Sequence, residues 1–150
     1  MAFNNPIKIY LDNCCFNRPF DDQSQIRIRI EAEAKLYIQQ EIEEGNLLLA
    51  WSYILDYENA VNPYTIRKTS INKWKNKADV FVIEHADLLD KAEELMTLEL
   101  KAKDALHIAC AIHANCRYFL TTDDAIIKKS DAIEGTEVIN PVDILKKLEE

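Results

Sequence analysis

Apolar residues fall along the chain in short runs set between longer amphipathic stretches. The first run, residues 7–11, is brief and β-branched at two positions, which suits a strand, and it stops at Asp12. A polar loop is expected over 13–23, with Pro19 and the acidic pair Asp21 and Asp22. Ile26, Ile30, Ala34, Ile38 and Ile42 then step by four, the mark of a single apolar face on a long helix. Asp22 or Ser24 is placed to cap its start, and Gly45 stands where a helix ends in glycine. Residues 47–51 read as a fully buried strand and 54–61 as a short helix.

Asn62 and Pro63 open another helix as cap and first-turn proline, with Tyr64, Ile71, Trp74 and Ala78 on its buried face. Residues 80–83 predict a strand and 86–98 a helix. Asp104 opens a helix whose run 105–112 is apolar on most sides, as expected of a helix packed between other elements. A strand at 118–121 ends in Thr122, Asp123 and Asp124, and a short helix, a strand at 137–139 and a closing helix after Pro141 finish the chain. Strands alternating with helices predict a mainly parallel sheet covered on both faces: an α/β fold, read as one domain over 1–150. There is no internal repeat, low-complexity tract or linker.

Composition narrows the chemistry. The 150 residues are 48% apolar and 29% charged, a globular balance. No apolar stretch approaches the ~20 residues that cross a bilayer, and the first residues lack the pattern of a secretion signal. A cytoplasmic address without a membrane is therefore expected. In that setting Cys14, Cys15, Cys110 and Cys116 are expected as reduced thiols. His107, Cys110, His113 and Cys116 recur every three residues, but on a helix that spacing spreads them around the axis by about 60° per step, which argues against a shared zinc. Only two glycines, Gly45 and Gly135, are present, which weighs against a phosphate-cradling loop or a dinucleotide fingerprint.

The acids are more informative by position than by number, although the net charge is −8. Ligands of open parallel sheets bind beyond the carboxyl ends of the strands. Asp12 follows the first strand, Asp123 the fourth, Glu58 lies on the helix after the second, and Asp104 begins a helix facing the same edge. Carboxylates gathered there repel one another unless a cation neutralises them. A hard ion, Mg²⁺ or Mn²⁺, suits an all-oxygen site and supports phosphodiester hydrolysis. Each acid also has a plainer reading. Asp104 and Asp123 can be helix caps, and Glu58, beside Asp56, can belong to a solvated face.

In this order the motifs resemble those of PIN-domain nucleases, especially the small VapC-like toxins. Ile9-Tyr10-Leu11-Asp12 matches the strand ending in aspartate, and Tyr57-Glu58-Asn59-Ala60 the glutamate on the next helix. Lys103-Asp104-Ala105-Leu106-His107 matches the aspartate opening an alanine-rich helix, and Phe119-Leu120-Thr121-Thr122-Asp123 the strand followed by threonine and aspartate. The resemblance spans residues 7 to 145. It implies a three-layer α/β/α sandwich, a divalent-metal ribonuclease acting on RNA, a homodimer, and a small antitoxin as partner. By the same resemblance Asp12, Glu58, Asp104 and Asp123 hold the metal. Asp124 is a reserve for the fourth position, and Thr121 or Thr122 orients the site.

The family usually follows its first aspartate with a small residue and serine or threonine; this chain has Asn13-Cys14-Cys15-Phe16-Asn17-Arg18-Pro19. Arg18, Lys101 and Lys103 flank the acids and are candidates for RNA phosphates, or simply soluble surface. Two other classes stand as rivals. One is a PIN-fold module that binds RNA or a partner without cutting. The other is phosphotransfer, which in haloacid-dehalogenase-like enzymes needs a second aspartate where Cys14 stands.

Overall fold

In the computed structural model, which describes residues 6–148, five strands form one parallel sheet. Residues 1–5, part of the segment read above for a secretion signal, lie outside the described residues. The strands are β1 (Ile7–Leu11), β2 (Leu47–Ser52), β3 (Val80–Val82), β4 (Tyr118–Leu120) and β5 (Glu137–Ile139), in the spatial order β3-β2-β1-β4-β5. The helices are α1 (Asn13–Asn17), α2 (Ile26–Glu43), α3 (Tyr53–Ala60), α4 (Thr65–Lys75), α5 (Ala86–Met96), α6 (Ala102–His113), α7 (Asp124–Ile127) and α8 (Pro141–Leu148). Together they form the expected three-layer α/β/α arrangement. Among the described residues no helix is long and apolar enough to cross a membrane.

β1 is the central strand, with Ile9 opposite Leu49 of β2 on one side and Tyr118 of β4 on the other. Ile9, Tyr10 and Leu11 are fully buried, as a strand covered by helices on both faces must be. The chain walks outward from β1 through β2 to β3, then returns to lay β4 along the free side of β1. This reversal opens a crevice at the carboxyl ends of β1 and β4, where a parallel sheet offers its ligand site.

Several local expectations shift. The span 13–23 holds α1 and a 3₁₀ turn, Arg18–Phe20, rather than an open loop, because the Asp12 carboxylate caps α1 by accepting Asn13 N–H at 2.8 Å. Neither Asp22 nor Ser24 caps α2. Asp22 instead accepts the Ser24 amide at 3.0 Å in a turn before Gln25, which occupies the cap position. Gly45 does end α2 with a positive φ of 80°.

The expected row holds over the second half of α2, where Ala34, Ile38 and Ile42 are buried, and fails in the first. Ile26 and Ile30 are exposed, while Glu31, Ala34, Lys35, Ile38, Gln39 and Ile42 face inward. Residues four apart drift by about 40° per step, and Glu31 takes the inner place because Arg18, Arg27 and Asn140 satisfy its carboxylate. α4 begins two residues after Pro63. Asn62 turns back to accept the Tyr64 amide at 3.1 Å, so Tyr64 is exposed while Ile71 is buried. Asp104 lies in the first turn of α6 instead of opening it, with Lys101 at the cap position.

Candidate metal centre

Asp12 leaves β1 at the crevice and is nearly buried. Its backbone N–H donates to the Leu120 carbonyl of β4 at 2.9 Å, so the two strand ends are tied together. The carboxylate is held from two directions. Asn13 N–H reaches Oδ1, and the buried Thr121 hydroxyl donates to Oδ2 at 2.8 Å. Thr121 Oγ1 in turn accepts the Asp123 amide at 3.1 Å, which fixes the next candidate acid relative to Asp12. Cys14, standing where a phosphotransfer aspartate would be, lies 3.5 Å from both Asp12 Oδ2 and Thr121 Oγ1. Asp123 caps α7 through Ala125 N–H on Oδ1 at 2.9 Å, the plainer of its two expected roles.

Glu58 comes from α3, whose start is fixed by Ser52: the Ser52 hydroxyl accepts Leu55 N–H at 3.3 Å. Its neighbour Asp56 points elsewhere, bound by the Trp51 indole at 2.8 Å and by Lys75 at 3.1 Å. Glu58 Oε1 is in direct contact with His107 Nε2. The other ring nitrogen, Nδ1, meets the Tyr10 hydroxyl at 2.6 Å, and that hydroxyl meets Ser52 Oγ at 2.6 Å. Tyr10, Ser52 and His107 are all buried. Burial holds the Tyr10 phenol well above its ordinary pKa, so the relay is made of neutral hydroxyls.

His107 Nε2 also lies 3.9 Å from Asp12 Oδ1, and ligand atoms of Asp12, Glu58 and His107 all fall within 4.8 Å of one another. A cation with bonds of ~2.1 Å places its donors up to roughly 4 Å apart, so the set has the donor types a divalent ion takes but is slightly wider than a bound set, with Glu58 and His107 engaged with each other. Asp104 adds to it. Burial, and then the charges of Asp12 and Asp123, raise its carboxyl above the usual range, while His107 and Lys101 act in the opposite sense. Such repulsion is what a cation relieves.

The remaining candidates divide. Asp124 faces α2, where Arg27 binds both its oxygens at 2.7 and 2.8 Å. The Thr122 side chain is buried, and its carbonyl accepts from Arg27 at 3.0 Å. Arg18 pairs with Glu31 at 2.9 Å and Asp21 at 3.1 Å. Lys101 and Lys103 are exposed, and Lys103 Nζ lies 4.0 Å from Glu58 Oε2. Tyr10 and Ser52 are not among the sequence candidates, and His107 figures there only in the zinc spacing argued against. A signal existed: Asp104 and His107 are three apart on one helix, and residues at that spacing share a face.

No protein-family model matches the sequence, and no curated protein matches it. Among solved structures, a chain of VapBC2 from Rickettsia felis, crystallised bound to a DNA fragment from their promoter, is similar with a TM-score of 0.57. The match covers 89% of this chain and 98% of that one at 17% identity. The two chains share a fold. In this fold Asp12 stands at the carboxyl end of the central strand, Glu58 lies on α3, Asp104 on α6 and Asp123 after β4.

Proposed function

We propose that this chain is a divalent-metal-dependent endoribonuclease, with Asp12, Glu58, Asp104 and Asp123 as metal-holding carboxylates and His107 beside them. The observation that carries the reading is the meeting of Asp12, Glu58 and His107 within 4.8 Å, at the crevice where a parallel sheet binds its ligand. Bound Mg²⁺ or Mn²⁺ supplies an acidified water and neutralises charge on the phosphate. The chain's own residues set the geometry. Thr121 and Asn13 fix both oxygens of Asp12, His107 holds Glu58, and Lys103 offers an ammonium group to an incoming phosphate.

The fold shared with VapBC2 supports a role as the toxin of a pair, blocked by a small antitoxin. Exposed Ile26, Ile30, Leu36 and Tyr37 on α2 give apolar surface for that partner or for a second copy in a homodimer. The test is incubation of purified protein with single-stranded RNA and Mn²⁺. Cleavage that stops with chelator and in Asp12→Asn and Asp104→Asn supports the reading. Cleavage that survives either substitution contradicts it, and RNA bound but never cut turns the assignment to a binding module.

A further inference from the structure

Away from the crevice, two histidines meet at the surface where α5 and α6 pack against each other. His85 holds the cap position before α5, and His113 is the last residue of α6. Asp104 lies nine residues before His113 on the same helix, so the pair stands about 14 Å along the axis from it. His85 is half-buried and His113 exposed. Cys110 and Cys116, which recur with His113 in sequence, are buried; the ring that His113 meets is that of His85, 28 positions earlier.

The two Nε2 atoms are 3.2 Å apart, yet the ring centroids are only 4.3 Å apart and the rings cross at 58°. Imidazoles bonded end to end would hold their centroids farther apart. These rings therefore stand side by side, and neither nitrogen points straight at the other. Two imidazole nitrogens on one tetrahedral zinc, each at ~2.0–2.1 Å from it, lie about 3.3 Å from each other. The observed spacing matches that edge.

A neutral imidazole gives one lone pair to an ion while its other nitrogen keeps the proton. Neither Nδ1 has a hydrogen-bond partner among the described residues, so each ring can carry its proton there and leave Nε2 bare. An ion then replaces the hydrogen shared between the two nitrogens, with no net loss of protons from the neutral rings. Among the described residues no third His, Cys, Asp or Glu completes a cluster with them, so water fills the remaining positions. Imidazole donors suit zinc, copper and nickel, whereas the carboxylates around Asp12 suit Mg²⁺ or Mn²⁺.

We propose that His85 and His113 form a second cation site, which takes one Zn²⁺ per chain and clips the start of α5 to the end of α6. The assignment is independent of the nuclease reading, because it shares no residue with the crevice.

The experiment is calorimetric titration of the protein with Zn²⁺ in millimolar Mg²⁺, which keeps the carboxylate centre supplied with a hard ion. Wild type is expected to bind one more Zn²⁺ per chain than His85→Ala or His113→Ala. Either substitution is expected to weaken that step by roughly tenfold or more, at least what a supporting group at a metal site costs. The double variant does no worse than a single one, because one imidazole alone already fails to hold the ion. Zn²⁺ also raises the melting temperature of wild type by more than that of the His113→Ala protein. His113 is exposed, so His113→Ala should melt near wild type in chelator, and it decides the question even if His85→Ala, at a helix cap, folds poorly. Zn²⁺ stoichiometry and affinity unchanged in His113→Ala overturn the proposal. So does a step that added Mn²⁺ competes away, which belongs to the carboxylate centre, or a loss shared equally and additively between the two substitutions, which means two separate histidines.

Discussion

Arg27 grips Asp124 with both terminal nitrogens, at 2.7 and 2.8 Å, and ties the pair to the Thr122 carbonyl at 3.0 Å. The guanidinium holds the Asp124 carboxyl below its ordinary range and orients it toward α2. Of two adjacent acids, Asp124 therefore anchors the segment, while Asp123 stands beside Thr121 at the crevice.

Cleavage assays on the two asparagine variants separate these roles. Asp124→Asn is expected to stay within about a few-fold of wild type, as for an exposed ion pair. Asp123→Asn is expected to lose at least the roughly 10- to 100-fold that removing even a supporting group at a metal site costs. The reverse order would mean that Asp124 swings into the centre.

Tyr10 acts on the centre through His107. Its hydroxyl is the partner of His107 Nδ1 at 2.6 Å, and so fixes the ring whose Nε2 meets Glu58. Tyr10→Phe removes that hydroxyl and leaves Ser52 with one partner fewer. Calorimetric titration is expected to show Mn²⁺ affinity reduced by about 10- to 100-fold, with folding stability lowered by roughly 1–2 kcal/mol. Unchanged affinity in a destabilised protein would make the relay purely structural.

Asp104 gives a prediction with a definite sign. Its folded carboxyl is raised by burial and by Asp12 and Asp123, so the charged form is disfavoured in the native state. Stability is therefore lost as pH rises through the carboxylate range, because the native state holds the proton longer than the unfolded chain. In chelator at neutral pH, Asp104→Asn should melt above wild type, and the gap should close in acid, where both are uncharged. Adding Mn²⁺ should reverse the order, since only wild type gains the full set of ligands. An Asp104→Asn protein that melts below wild type in chelator contradicts this.

Much of the layout was legible in the sequence because its signals are local. Short β-branched runs gave the strands, the acids at their ends marked the crevice, and Gly45 marked the end of α2. What stayed hidden depends on distant partners. Glu31 and Lys35 look like surface residues in sequence, yet Glu31 is buried by Arg18, Arg27 and Asn140, and Lys35 lies between the rings of Phe16 and Trp74. His107 was hidden for a similar reason. Its spacing from Asp104 marks a shared helix face, but not that the ring meets a glutamate 49 positions earlier.

Lys35 provides a test away from the metal. Burial pushes its ammonium down to about 7, while in the unfolded chain it keeps its proton to much higher pH. The cost of the buried charge is thus fully present below pH 7 and fades as pH rises from there. Lys35→Met should be more stable than wild type at pH 6 by on the order of a few kcal/mol, with the difference shrinking by pH 9. Urea unfolding at the two values measures it, and a difference that does not change with pH would show that Lys35 titrates normally.

Anomalous diffraction from crystals soaked in Mn²⁺ tests the central claim most directly. The account predicts a peak bounded by the carboxylates of Asp12, Glu58 and Asp104, with His107 Nε2 next to it. A peak elsewhere, or none at saturating Mn²⁺ in a crystal that leaves the crevice open, would contradict it.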